Sequence, residues 1–174
     1  MNEFSYDTIR KDLPVFRTIL SDKDEVNPHL KSLILSYRKE HPEGYDTNVR
    51  AWRSAHDSHV RDNKFSFFVK RIESACNFIC REHFGDVSFF KCSNMWMMQY
   101  EKNDSAYPHD HFPSVWSCVY YVEVDNWCSP IIFEKTLEIR PQNGLLLIFP
   151  SIIEHEVPPT EGQRMAISMN FRQI

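Results

Sequence analysis

At 174 residues the chain is long enough for a single domain that buries about two-thirds of the surface its unfolded form exposes, so neither a disulfide nor a structural metal is needed to hold it together. Its net charge of −4, from 20 basic and 24 acidic residues with no long run of either sign, argues against a polyanion-binding face, and direct nucleic-acid binding is not expected. Five cysteines without a C-x-x-C pair fit reduced core thiols.

No stretch approaches the roughly 18 apolar residues of a membrane span, and Met1–Asp7 lack a basic region followed by an apolar one. A cytoplasmic protein without a membrane partner is the expectation. Residues 1 to about 26 are mixed and polar, and within them Leu13, Val15, Phe16, Ile19 and Leu20 suggest an edge strand or a short turn. Asn27-Pro28 then reads as a helix start, with Leu30, Leu33, Ile34 and Tyr37 at helical spacing and Pro42 as the stop. Residues 46–61, with Trp52, His56 and His59, have no clean period and read as a loop that covers something.

From Lys64 the pattern sharpens. Phe65, Phe68, Val69, Ile72, Cys76, Ile79 and Cys80 form an apolar stripe opposite Lys70, Arg71, Glu73, Arg81 and Glu82. Asp62 or Asn63 would cap this helix and Gly85 end it. Beyond Gly85 the chain becomes strand-rich, with 87–92, 95–101, 115–124, 131–134, 137–140, 145–149 and 164–171 as candidates. A mainly helical preface (1–86) followed by so many short strands (87–174) points to an α+β domain, a small barrel or jelly roll with N-terminal helices packed on one sheet.

Chemistry concentrates in Tyr107-Pro108-His109-Asp110-His111-Phe112, answered by His155-Glu156-Val157 and by Arg164. On an extended segment His109 and His111 point to the same side, and a distant His155 could complete a metal site whose remaining positions stay open for substrate and oxygen. The chain has eight histidines, so chance proximity is the competing reading for the H-x-H pair alone. In the strand that begins at Arg164, residues Arg164, Ala166, Ser168 and Asn170 share one face. A guanidinium on a buried face needs an anion, and its planar fork suits a carboxylate; a salt bridge to a protein Asp or Glu is the plainer alternative.

The ordered set Cys118-Val119-Tyr120-Tyr121-Val122, Gly144-Leu145-Leu146-Leu147-Ile148-Phe149, His155-Glu156-Val157 and Arg164-Met165-Ala166-Ile167-Ser168 resembles the Fe(II)- and 2-oxoglutarate-dependent dioxygenases, especially the prolyl-hydroxylase type. The resemblance spans roughly residues 95–171. Its H-x-H also resembles a branch of such oxygenases in bacteria and phages. It implies a double-stranded β-helix (jelly roll), a hydroxylase activity that releases succinate and CO2, and Fe(II) and 2-oxoglutarate as cofactors. Carried over, it makes His109, His111 and His155 the iron ligands and Arg164 the partner of the distal carboxylate of 2-oxoglutarate. Tyr121 and Ser168 would assist at that carboxylate and Tyr100 would reach the other end. Both tyrosines can equally be core rings.

The departure from the family pattern is His111 where a carboxylate is usual. Asp110 could ligate only if the segment is irregular, and Glu134 is a remote candidate for a fourth ligand, more naturally an exposed strand carboxylate. A cupin-like three-histidine dioxygenase that needs no 2-oxoglutarate, and a non-catalytic jelly-roll binding protein, are the competing functions. The prime substrate is not legible, because the loops that would select it, 42–63 and 102–107, carry no readable code.

Overall fold

The computed structural model describes residues 12–45, 47–85 and 88–174. Two antiparallel sheets face each other, and two long helices cover the outside of the larger. In chain order the elements are β1 (Phe16–Ile19), α1 (Lys23–Glu40), β2 (Val49–Arg50), β3 (Trp52–Arg53), the short α2 (Ser58–Arg61), a 3-10 turn (Asn63–Phe65), α3 (Ser66–Phe84), β4 (Phe90–Tyr100), β5 (Ser105–His109), β6 (Trp116–Val124), β7 (Ile131–Phe133), β8 (Leu137–Ile139), β9 (Leu145–Pro150), β10 (His155–Val157) and β11 (Arg164–Gln173). The larger sheet runs β1-β9-β6-β11-β4-β3 and the smaller β2-β5-β10-β7-β8.

Strand alternation divides the interior in two. One face of the larger sheet, with Met95, Met97, Cys118, Tyr120, Ile148, Ile167 and Met169, packs against Leu30 and Ile34 of α1 and Phe68, Ile72 and Cys76 of α3. The opposite face, with Trp96, Met98, Tyr100, Val119, Tyr121, Leu147, Phe149 and Ala166, looks across to Ala106, Ile131, Phe133 and Val157 of the smaller sheet. The second interior is where the candidate site lies.

Helix α3 matches the stripe seen in the sequence. The expected cap falls one element earlier: the Asp62 carboxylate accepts the Lys64 N–H at 3.0 Å and caps the 3-10 turn, while α3 itself starts at Ser66 behind Phe65, and Gly85 closes the helix at φ 64°, a left-handed conformation that costs glycine little. Helix α1 differs: it begins at Lys23, so Pro28 lies inside it. Asn27 is not its cap but its tether to β6. It donates to the Val122 carbonyl at 2.7 Å and accepts from the Tyr120 hydroxyl at 2.6 Å. Asp22, just before the helix, pairs instead with Arg71 of α3.

The candidate strands 87–92 and 95–101 are one strand, β4, whose pairing with β11 shifts between Asn170 and Phe171. Asp86 and Val87 lie outside the described residues, as does the start of the chain through Lys11. The presumed loops also hold structure, since 46–61 carries β2, β3 and α2, and 102–107 runs into β5. None of the five cysteines is in a disulfide. No helix among the described residues is long and apolar enough to cross a membrane.

Candidate active site

His109 ends β5 and His155 begins β10, and the two stand directly opposite each other in the antiparallel pairing. Directly opposed residues project their side chains to the same side of a sheet, and the ring centroids lie 4.4 Å apart. His111 reaches the same point from beyond the strand. Its N–H donates to the Ser151 carbonyl at 2.8 Å, and the Asp110 carboxylate accepts the Phe112 N–H at 3.0 Å, which shapes the turn. The His111 ring thereby sits 5.0 Å from each of the other two.

One ligand atom from each of the three histidines lies within 4.8 Å of the others. Beneath the turn, Ser117 links Ser151 at 2.7 Å and Asn170 at 2.8 Å in a buried hydroxyl–amide chain. The sequence places Asn170 on the Arg164 face but does not single out Ser117 or Ser151, because these polar contacts join strands far apart in the chain.

The proton inventory suits a metal. His109 Nδ1 is 2.6 Å from the Tyr107 carbonyl and His155 Nδ1 is 3.0 Å from the Ile153 carbonyl. A carbonyl can only accept, so both Nδ1 atoms carry the hydrogen and both Nε2 lone pairs are left free. Burial, reinforced by the neighbouring rings, pushes His111 down to about 2 and His155 down to about 4. Three neutral imidazoles facing one point fit a borderline divalent cation such as Fe(II). Asp110 is exposed and spends an oxygen on its own turn. Glu134 is not among the clustered ligand atoms; it is exposed, and its carboxylate accepts the Glu154 N–H at 3.0 Å in the turn after β7.

The depressed histidines have a consequence for the metal-free protein. His155, 6% exposed, stays neutral down to about pH 4 when folded, whereas the unfolded chain takes up that proton near pH 6.5. Folding stability is therefore fully present above pH 6.5 and is lost as the pH falls towards 4, by on the order of 2 kcal/mol between pH 7 and pH 5 from this residue. Urea unfolding of wild type and His155→Gln at the two pH values checks this: the variant should show the shallower dependence, and equal slopes would refute the assignment.

Arg164 opens β11 directly across from Tyr100 on β4. Asp125 fixes the approach to it by accepting the Gln163 N–H at 2.6 Å, so close to Gly162 that a Cβ there would meet its oxygen at 1.8 Å. The guanidinium is 3% exposed and lies 4.3 Å from the Tyr100 ring centroid and 5.9 Å from that of Tyr121. Nη1 donates to the Ser129 carbonyl at 3.0 Å, and Nε is buried without a hydrogen-bond partner among the described residues. No carboxylate pairs with Arg164 among the described residues. Burial drives the Tyr121 hydroxyl up to about 12 and raises Tyr100 as well, so both remain protonated donors. A buried cation with an unused donor fits an incoming carboxylate.

The three histidines, Arg164, Tyr100, Tyr121 and Ser168 all line one cavity of about 320 Å³. Two positions differ from the sequence expectation. Tyr100 stands at the Arg164 end, not the other end. Ser168 pairs across from Trp96, four residues along β11 from Arg164 and so about 13 Å away; it faces the histidine end.

A bacterial prolyl-4-hydroxylase, from Pseudomonas putida, superposes on this chain with a TM-score of 0.67 at 16% identity, over 92% of each chain. This is the fold of the prolyl hydroxylases. A prolyl hydroxylase from Trichoplax adhaerens, solved with a peptide fragment of the hypoxia inducible factor oxygen degradation domain, also shares the prolyl-hydroxylase fold. Its TM-score is 0.66 at 17% identity, over 92% of this chain and 83% of that one. The viral collagen prolyl hydroxylase of Paramecium Bursaria Chlorella virus-1, solved as its 2OG complex, gives 0.59 at 13% identity over 92% and 96%. No family model matches the sequence and no curated protein matches it. The resemblance read from the short motifs thus holds at the level of the prolyl-hydroxylase fold, with two further cavity residues, Arg53 and His56, that the motifs did not contain.

Proposed function

We propose that this chain is an Fe(II)- and 2-oxoglutarate-dependent oxygenase that hydroxylates a C–H bond of a substrate yet to be identified. The observation that carries the reading is Arg164, a buried guanidinium without a counter-charge among the described residues, in the cavity that three histidines share. A three-histidine dioxygenase working without a cosubstrate would have no use for that cation, and a binding scaffold would have no use for the neutral, oriented imidazoles. On this reading the two sheets are the halves of a double-stranded β-helix, and the chain acts as one domain. Cysteines without a disulfide support a reducing compartment such as the cytoplasm.

His109, His111 and His155 would hold the iron through nitrogen, with the carbonyls of Tyr107 and Ile153 fixing two of the rings. Arg164 would orient the distal carboxylate of 2-oxoglutarate, with the protonated Tyr121 and Tyr100 hydroxyls as further donors. Ser168 would line the histidine end. Bound iron and 2-oxoglutarate supply oxidising power through oxidative decarboxylation to succinate and CO2. The chain supplies orientation, and Met98, Val119, Ile131 and Phe149 supply apolar walls that keep water from the cosubstrate.

Protein loaded anaerobically with Fe(II) and then exposed to oxygen should convert 2-oxoglutarate to succinate slowly even without prime substrate. Iron demonstrably bound, yet no succinate above a metal-only control, would return the chain to the cosubstrate-free or non-catalytic alternatives.

A further inference from the structure

At the other end of the cavity lies a second buried cation. Arg53, on β3, pairs across from Met98, so its side chain is on the same sheet face as Met98, Trp96 and Tyr100 and lines the same cavity. It is 2% exposed. Its guanidinium carbon stands 4.9 Å from the Trp96 ring centroid, and Nη2 lies 2.7 Å from His56 Nδ1. Among the described residues the His56 ring is its sole hydrogen-bonding partner and no ion pair includes it. Nε and Nη1 have no partner among the described residues and are not among the buried unpaired atoms. Burial lowers Arg53 to about 10, which leaves it charged at neutral pH.

A charged guanidinium held in a cavity without a counter-ion is costly unless an anion arrives to meet it. The cosubstrate does not serve for this. Arg164 is stacked on Tyr100 and Arg53 on Trp96, two rings that stand four residues apart on β4, about 13 Å along the strand. On the oxygenase reading a dicarboxylate held at one end by Arg164 would have its other end at the centre that the three histidines would form, so neither carboxylate is left for Arg53. Charge balance points the same way. Among the described residues the cavity lining contains a single carboxylate, Asp110, and it is exposed. A three-histidine centre lacks the negative charge that a carboxylate ligand would bring, so iron, Arg164 and Arg53 outweigh the two charges of 2-oxoglutarate.

We propose that Arg53, assisted by His56, anchors an anionic group of the prime substrate, a carboxylate or a phosphate, at the end of the cavity remote from Arg164. The assignment of that anion to the prime substrate rests on the oxygenase reading of the cavity. Trp96 joins the two regions, touching Arg53 on one side and His111 on the other, with ring centroids 5.4 Å apart. The C–H bond to be oxidised is therefore only a few bonds from the anion. Polymer substrates that present no anionic group near the reacting carbon do not fit.

The test follows the Arg53 side-chain Nε–H resonance by NMR in ¹⁵N-arginine-labelled protein loaded with Zn(II) and saturated with 2-oxoglutarate, at physiological ionic strength. Inorganic phosphate and propionate are the anionic probes and propionamide is the uncharged control. Arg53→Lys, which keeps the charge, identifies the resonance. The expected result is a saturable shift with phosphate or propionate, the stronger of the two naming the substrate's anionic group, and none with propionamide. The same titration is repeated on Arg164→Gln without 2-oxoglutarate, where the shift should persist. No saturable shift, an equal response to propionamide, or a response that vanishes with Arg164→Gln would overturn the proposal. The readout needs neither iron nor turnover. A chain that makes no succinate yet shows the shift loses the oxygenase reading and keeps the anion site, whereas one that makes succinate without the shift loses the anion site alone.

Discussion

Arg164→Ala should weaken 2-oxoglutarate binding by about 1.5–3 kcal/mol or more, the usual loss for hydrogen bonds to a charged group, while iron binding stays close to wild type. The geometry explains why the effect should be large. Among the described residues Nε is buried and unpartnered, the flanking tyrosines are neutral donors, and Arg53 is the sole other arginine or lysine lining the cavity. Lysine should recover only part of the affinity, because a point charge cannot reproduce the planar fork. Stability supplies an independent check. Breaking a buried ion pair typically costs 3–5 kcal/mol, roughly, because it strands the remaining charge, but Arg164 has no counter-charge to strand among the described residues. The metal-free Arg164→Ala protein should therefore unfold at nearly the wild-type urea concentration. Calorimetric titration of 2-oxoglutarate together with urea unfolding decides the matter: wild-type affinity in the variant, or a large loss of stability, would make Arg164 a structural residue.

The helices and long strands were legible because each repeats its period often enough to be seen. Phe68, Val69, Ile72, Cys76 and Cys80 mark one face over several turns of α3, and β11 alternates from Arg164 to Phe171. The short strands that build the site were not legible. β3 has two residues, and Arg53 acquires its meaning only from standing opposite Met98, which lies on β4 far along the chain. β5 contains Pro108, an unpromising strand residue. It is tolerated because the pairing of β2 with β5 involves Ser105 and Ala106, with Tyr107 donating to Asn48, so that ladder ends before Pro108. Asn27-Pro28 has the chemistry of a helix start, but its tether to Tyr120 and Val122 is a tertiary fact. The histidine cluster was legible for a partly different reason from the one at work: β5 ends at His109, and His111 converges through a turn held by Ser151 and Asp110, not through strand alternation.

That turn makes the third ligand the sharpest point to test. His111→Ala should empty the iron site, as should His155→Ala, because each removes one of three nitrogens that face a common point. His111→Asp should retain iron, since a carboxylate oxygen at this position is a suitable ligand for Fe(II) and the backbone bond from residue 111 to Ser151 does not depend on the side chain. Asp110→Ala should be mild. It removes one hydrogen bond to the Phe112 N–H, worth about 0.5–1.5 kcal/mol of stability, and leaves all three imidazoles in place. Iron per chain after anaerobic loading and desalting reads out all four variants on the same scale. An empty site in Asp110→Ala beside a filled site in His111→Ala would mean that the turn rearranges around the metal and that Asp110 supplies the third ligand.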